Sequence, residues 1–215
     1  MNSIACAFYC LANSNFGKAF FVFSVGVAVA TLGYLLSRDS ILKVRFYIFA
    51  NAFVAVNLPV IYFSMSCDMF WFMKYYALYA LTFGILLLSF PKVYKLYLGK
   101  RYGFRIDDEL AKKHGLKRVY VLNTLLPKAF TIGRDVFVSE GLLELLEEDE
   151  LSAVIYHEKF HAMQNKLFSL KAVKFLTFLH IPENEIEKAA DEYAERLVGK
   201  DALRRARRKL ENFYS

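Results

Sequence analysis

Charge is nearly absent from the first 90 residues, where only Lys18, Arg38, Asp39, Lys43, Arg45, Asp68 and Lys74 carry it. A soluble domain draws about a quarter of its residues from charged types, so this stretch does not read as one. Cysteine is scarce as well. Cys6, Cys10 and Cys67 all lie in the same stretch, and none follows. No C-x-x-C spacing occurs, which excludes a cysteine-based zinc ribbon. These cysteines read as small apolar residues near membrane ends, able to form a disulfide only if their face is oxidising. There is no low-complexity segment, internal repeat or nucleic-acid-binding motif. The net charge of +7 therefore points to an anionic membrane surface rather than to nucleic acid.

What the chain does have is apolar length. A spanning helix needs about 20 mostly apolar residues, and residues 19–36, 46–67 and 69–90 each supply such a run. Asn51, Asn57 and Pro59 interrupt the second, and its amides are expected to face neighbouring helices rather than lipid. Lys74 can snorkel, and Phe70, Trp71, Phe72, Tyr75 and Tyr76 suit a headgroup-level belt. Residues 1–17 lack the basic start of a cleaved signal peptide. Basic residues follow the first run (Arg38, Lys43, Arg45) and the third (Lys92, Lys95, Lys100, Arg101). Three spans put both basic segments on one side, the cytoplasm, with everything after residue 90. The expected organisation is a multi-pass membrane anchor at 1–90 and a cytoplasmic domain at 91–215.

The second half is polar and mixed. Residues 107–114 read as a short helix stopped by Gly115, with His114 a basic residue in its last turn. Residues 117–122 alternate like a strand. Residues 128–132 and 135–138 flank Gly133-Arg134 as a hairpin with a type II′ turn, and Ser139 can N-cap a helix to Leu146. Helices are expected at 148–165 and 183–198, the latter stopped by Gly199. A last helix, capped by Asp201, puts Leu203, Ala206, Leu210 and Phe213 on one stripe. Its cluster Arg204, Arg205, Arg207, Arg208 and Lys209 reads as a solvated face, with attraction to a membrane surface as the competing reading. Residues 167–181 are apolar but too short to span, which suits an interfacial or core-packing helix.

One pattern carries chemistry. His157-Glu158-Lys159-Phe160-His161 is H-E-x-x-H. On a helix, residues four apart stand on one face, so both imidazoles reach one metal while Glu158 beside them can act as general base. Zinc takes three protein ligands at a catalytic site and keeps a fourth position open. For the third ligand, Glu183, Glu187 and Asp191 fall four apart on one face of the following helix. Glu183 at the helix start suits the dipole. The longer Glu187 suits the metal, and the shorter Asp191 suits a hydrogen bond to a ligand imidazole. His180 reads as an interface or core histidine, with assistance to the site as the alternative.

These segments together resemble the HtpX-like membrane metallopeptidases, a gluzincin family that includes the CAAX prenyl protease. The resemblance runs from about Val119 to Leu210. It includes Ala129-Phe130-Thr131-Ile132-Gly133-Arg134, Ser139-Glu140-Gly141-Leu142-Leu143, the H-E-x-x-H helix, Glu187-Lys188-Ala189-Ala190-Asp191 and Ala194-Glu195-Arg196-Leu197-Val198-Gly199. It implies Zn2+ held by His157, His161 and Glu187, with Glu158 catalytic and Asp191 behind a ligand histidine. It also implies that Ala129, Phe130, Thr131 and Ile132 form an edge strand that pairs with a polypeptide substrate. Lys128 stands where the family has Asn, and only 167–181 separates the zinc motif from the third ligand, where HtpX inserts two spans.

The fold expected is α+β: transmembrane helices followed by a zincin-like domain with a small sheet and the H-E-x-x-H helix. The function expected is a zinc endopeptidase acting on membrane or membrane-proximal proteins, in quality control or in narrow processing. The rival is a catalytically silent zinc-containing adaptor. Oligomeric state has no signal in the sequence.

Overall fold

The computed structural model describes residues 9, 12–13, 15–64, 70–165 and 183–215. The expectations for Cys6, Cys10, Cys67, His180 and residues 167–181 lie outside them. The described residues form two units that divide between residues 87 and 88.

In the first unit, α1 (Asn15–Leu36) and α2 (Ser40–Ser64) pack side by side. Gly26 and Gly33 let Phe53 and Phe46 of α2 lie against the α1 backbone, where a methyl group at Gly33 would come within 2.6 Å of the Phe46 ring. Asn51 is fully buried and donates to the Tyr47 carbonyl at 2.8 Å, while Asn57 is buried and reaches towards Ser24. Both amides thus face the helix interface, where a polar group avoids lipid. The opposite side of α1 exposes Phe21, Val22, Val25, Val29, Leu32 and Leu35. Gly17–Leu36 and Ser40–Asn57 are each long and apolar enough to cross a membrane, with mean hydropathy 2.1 and 1.2.

The third apolar run begins α3 (Phe70–Tyr102), which continues through Pro91 instead of ending there. Its last turns belong to the second unit, where Leu98 and Tyr102 pack under the sheet.

The second unit holds a four-stranded sheet in the order β1-β2-β4-β3: β1 Phe104–Ile106, β2 Val119–Leu122, β3 Ala129–Ile132, β4 Asp135–Ser139. β2 and β4 are parallel, and the other pairs are antiparallel. β1 has no counterpart in the sequence expectations. It is three residues long, Phe104-Arg105-Ile106, too short a run to read as a strand from its pattern. The expected hairpin forms, with Gly133 at φ 62°, a value that favours glycine. Strand alternation divides the sheet into two faces. Val119, Val121, Val136 and Val138 join Ile155 and Ala162 in one core cluster, while Tyr120, Leu122 and Phe137 join Leu98 in another. β2, fully buried, is apolar on both faces.

The remaining helices are α4 (Asp108–Lys113), α5 (Glu140–Leu145), α6 (Glu148–Gln164), α7 (Glu183–Val198) and α8 (Lys200–Tyr214). Asp107 caps α4 and Ser139 caps α5 through their side chains. α6 starts on a reciprocal cap between Glu147 and Glu150, and Glu150 is fully buried beneath Arg205 and Lys209 of α8. α7 packs on α6 through Ala189, Ala190 and Ala194, all fully buried. Small side chains on that face bring the two backbones close.

Three local expectations need correction. Gly199, at φ 100°, stands at the N-cap of α8, and Asp201 lies in its first turn without capping it. Phe213 leaves the buried stripe and is exposed, because α8 runs past the core. His114 is buried rather than a surface charge. Its Nδ1 lies 2.9 Å from the Leu110 carbonyl and its Nε2 3.0 Å from Ser152 Oγ, and burial pushes its pKa down.

Candidate metal centre

His157, Glu158 and His161 share one helix because α6 combines an acidic first turn with a cap and buries Ala153, Ile155, Phe160 and Ala162. The four-residue step sets the imidazoles one turn apart, with the two Nε2 atoms 3.3 Å from each other. α7 brings Glu187 to the same point. Its carboxylate oxygens lie 3.2 Å from His157 Nε2 and 3.6 Å from His161 Nε2. One ligand atom from each of the three residues lies within 4.8 Å of the others.

This arrangement fits zinc. Two histidines and one glutamate are a donor set of catalytic zinc sites, and zinc–ligand bonds of about 2.0–2.1 Å in a tetrahedron separate the ligand atoms by about 3.3 Å. The two Nε2 atoms are 3.3 Å apart, with Glu187 Oε2 3.2 Å from His157 and Oε1 3.6 Å from His161, so all three residues can reach one ion between them. A carboxylate and two imidazole nitrogens converging on one point suit a shared cation.

Asp191, one turn beyond Glu187, meets the other side of the His157 ring, with Oδ1 2.9 Å from Nδ1. A proton on Nδ1 donates to this carboxylate, and Nε2 is the nitrogen that faces Glu187 and His161 and would bind a metal once deprotonated. Arg207 of α8 forms an ion pair with the second oxygen of Asp191. The basic face of α8 is therefore only partly solvated. Arg207 braces the site, and Arg205 and Lys209 pair with acidic residues at the start of α6.

The electrostatics follow from these contacts. Burial pulls His157 down, but Asp191 and Glu187 outweigh it and raise its pKa to about 9 in the metal-free protein. Hydrogen bonds from His157 and then His161 hold Glu187 well below the usual carboxylate range. For Asp191, burial is outweighed by His157 and Arg207, and its pKa falls.

Glu158 lies beside the two histidines and is held from the sheet. Thr131 Oγ1 of β3 is 2.8 Å from its Oε2 and 2.9 Å from its backbone oxygen. β3 is an edge of the sheet and packs along α6. Of its four residues, Ala129 packs with the helix-facing cluster, while Phe130 and Ile132 pack on the opposite face. The structure thus brings together all the expected site residues of α6 and α7 and lays the expected edge strand beside them. The sequence reading missed Arg207 and the contact from Thr131. Strand alternation held a signal for Thr131, since it shares a face with Ala129. Nothing singled out Arg207 among five neighbouring cations.

Comparison with known proteins agrees with this geometry. Residues 106–183 match the sequence profile of Peptidase family M48. The chain is 32% identical over 117 residues to a protease HtpX homolog of Methanothermobacter thermautotrophicus, covering 46% of this chain and 45% of that protein. Over 64 residues it is 45% identical to a protease HtpX homolog of Pyrococcus furiosus, covering 26% of this chain and 22% of that one. A protease HtpX homolog of Acidiphilium cryptum is 46% identical over 61 residues, 25% of this chain and 21% of its own length. The chain thus spans less than half the length of these curated relatives. No solved structure matches.

Proposed function

We propose that this chain is a zinc endopeptidase of Peptidase family M48, whose profile residues 106–183 match. His157, His161 and Glu187 hold the ion. The observation that carries this reading is the convergence of one ligand atom from each of the three residues to within 4.8 Å of the others, with Glu158 adjoining His157 on the same helix. When bound, zinc lowers the pKa of its water and polarises the scissile carbonyl.

The side chains supply the proton traffic. Glu158 takes a proton from the attacking water as its oxygen bonds to the carbonyl carbon. As the C–N bond breaks, Glu158 returns that proton to the leaving amine nitrogen. Asp191 keeps the Nδ1 proton on His157, so that the opposite nitrogen stays a ligand. The outer edge of β3, Ala129 to Ile132, pairs with the substrate backbone as an added strand.

The substrates are polypeptides in or near a membrane, in quality control or in narrow processing. α1, α2 and the apolar start of α3 are the anchor, and the metal-binding unit faces the cytoplasm because the basic loops do. A general base next to a complete ligand set favours an enzyme over a silent adaptor. The test is metal removal. Full-length protein stripped by a chelator should lose cleavage of an unfolded protein substrate and regain it with one equivalent of zinc per chain. Cleavage that survives complete stripping would refute the proposal.

A further inference from the structure

Thr131 belongs to the strand expected to bind substrate, yet its side chain turns away from that role. Alternation along β3 sends Phe130 and Ile132 to the far face, where Phe130 stacks on Phe137 with centroids 5.3 Å apart. Thr131 is paired in register with Val136, and Val136 belongs to the cluster that packs on α6. Thr131 is the polar side chain of a strand otherwise made of Ala, Phe and Ile. Its hydroxyl lies 2.8 Å from Glu158 Oε2 and 2.9 Å from the Glu158 backbone oxygen. A hydroxyl has one proton to donate, and both neighbours accept. The hydroxyl therefore stands between the carboxylate and the main chain of the residue that carries it.

We propose that Thr131 is a positioning residue for Glu158: its hydroxyl fixes one carboxylate oxygen and so commits the other to the water's proton. The inference rests on the peptidase reading above and deepens it. A free glutamate side chain samples several rotamers, and general-base efficiency depends on holding one of them. The device also joins two tasks, because the strand that aligns the substrate backbone is the strand that orients the base. Displacing β3 would move both together.

Thr131→Val removes the hydroxyl at nearly constant shape, and Thr131→Ser restores it without the methyl group. In full-length zinc-loaded protein, Thr131→Val should keep one zinc per chain and the wild-type thermal midpoint. Its kcat should fall about 10- to 100-fold while KM stays within about twofold, the pattern of a misplaced catalytic group. Thr131→Ser should recover most of kcat. A second readout needs no turnover. The infrared carboxylate band assigned to Glu158 by its loss in Glu158→Gln should shift in Thr131→Val and return in Thr131→Ser. An unshifted band, a wild-type kcat in Thr131→Val, or a loss confined to KM would overturn the proposal. Absence of cleavage in the wild type would instead defeat the peptidase reading, and the infrared result would still decide the hydrogen bond.

Discussion

Asp191 Oδ1 lies 2.9 Å from His157 Nδ1, on the side of the imidazole away from Glu187. Two carboxylates one helical turn apart thus grip the two nitrogens of one ring. The longer side chain reaches the nitrogen that also faces His161, and the shorter one takes the nitrogen behind.

The two positions are therefore predicted to behave differently. Glu187→Ala should lose most zinc. Asp191→Ala should keep the site but weaken zinc by about 10- to 100-fold, the usual cost of removing a partner behind a ligand histidine. Zinc titration against a competing chelator measures both. A larger loss in Asp191→Ala than in Glu187→Ala would reverse the roles.

Zinc binding should depend on pH through His157. With its pKa raised to about 9 by Asp191 and Glu187 against burial, the metal-free ring is protonated at neutral pH, and zinc must displace that proton. Apparent affinity should rise by about tenfold per pH unit from pH 7 towards 9 and then level off. The same proton stabilises the metal-free fold. That contribution is complete below about pH 6.5 and is lost as pH rises through about 9. Affinity that is flat across pH 7–9 would contradict this assignment.

Gly141 should tolerate no side chain. A Cβ there would sit 1.9 Å from the Leu125 carbonyl oxygen, and its own N–H donates to the Thr124 carbonyl at 3.0 Å. Neither contact involves a side chain that could swing away. Gly141→Ala should cost about 2–4 kcal/mol, in the range of severe steric substitutions. Thermal unfolding in detergent should register it as a fall of several degrees, and an unchanged midpoint would show that the loop moves freely.

Topology is open to direct test as well. On the proposed orientation, in which the basic segments after the first and third apolar runs share the cytoplasmic side, protease added outside intact cells should leave everything after residue 91 uncut. Digestion of the metal-binding unit from outside would invert the orientation.

The site was largely legible in the sequence because its chemistry is periodic. His157 and His161, and likewise Glu187 and Asp191, sit four apart on helices, and helical geometry alone places each pair on one face. The hairpin was legible because Gly133 marks its turn. What escaped was long-range or short. β1 is only three residues long, the parallel pairing of β2 with β4 joins segments separated by β3, and Arg207 meets Asp191 only once α8 has folded back. His114 was misread because burial, which no local pattern reports, decides whether a histidine is charged.

The central claim is that Glu158 moves the proton during peptide hydrolysis at a zinc site made by His157, His161 and Glu187. Its most direct test compares wild type with Glu158→Gln, both full length and loaded with one zinc, on an unfolded membrane-protein substrate. Gln keeps the shape and the hydrogen bond from Thr131 but cannot accept a proton. The variant should bind zinc as the wild type does and cleave at least about 100-fold more slowly. Cleavage near the wild-type rate, with zinc in place, would contradict the account.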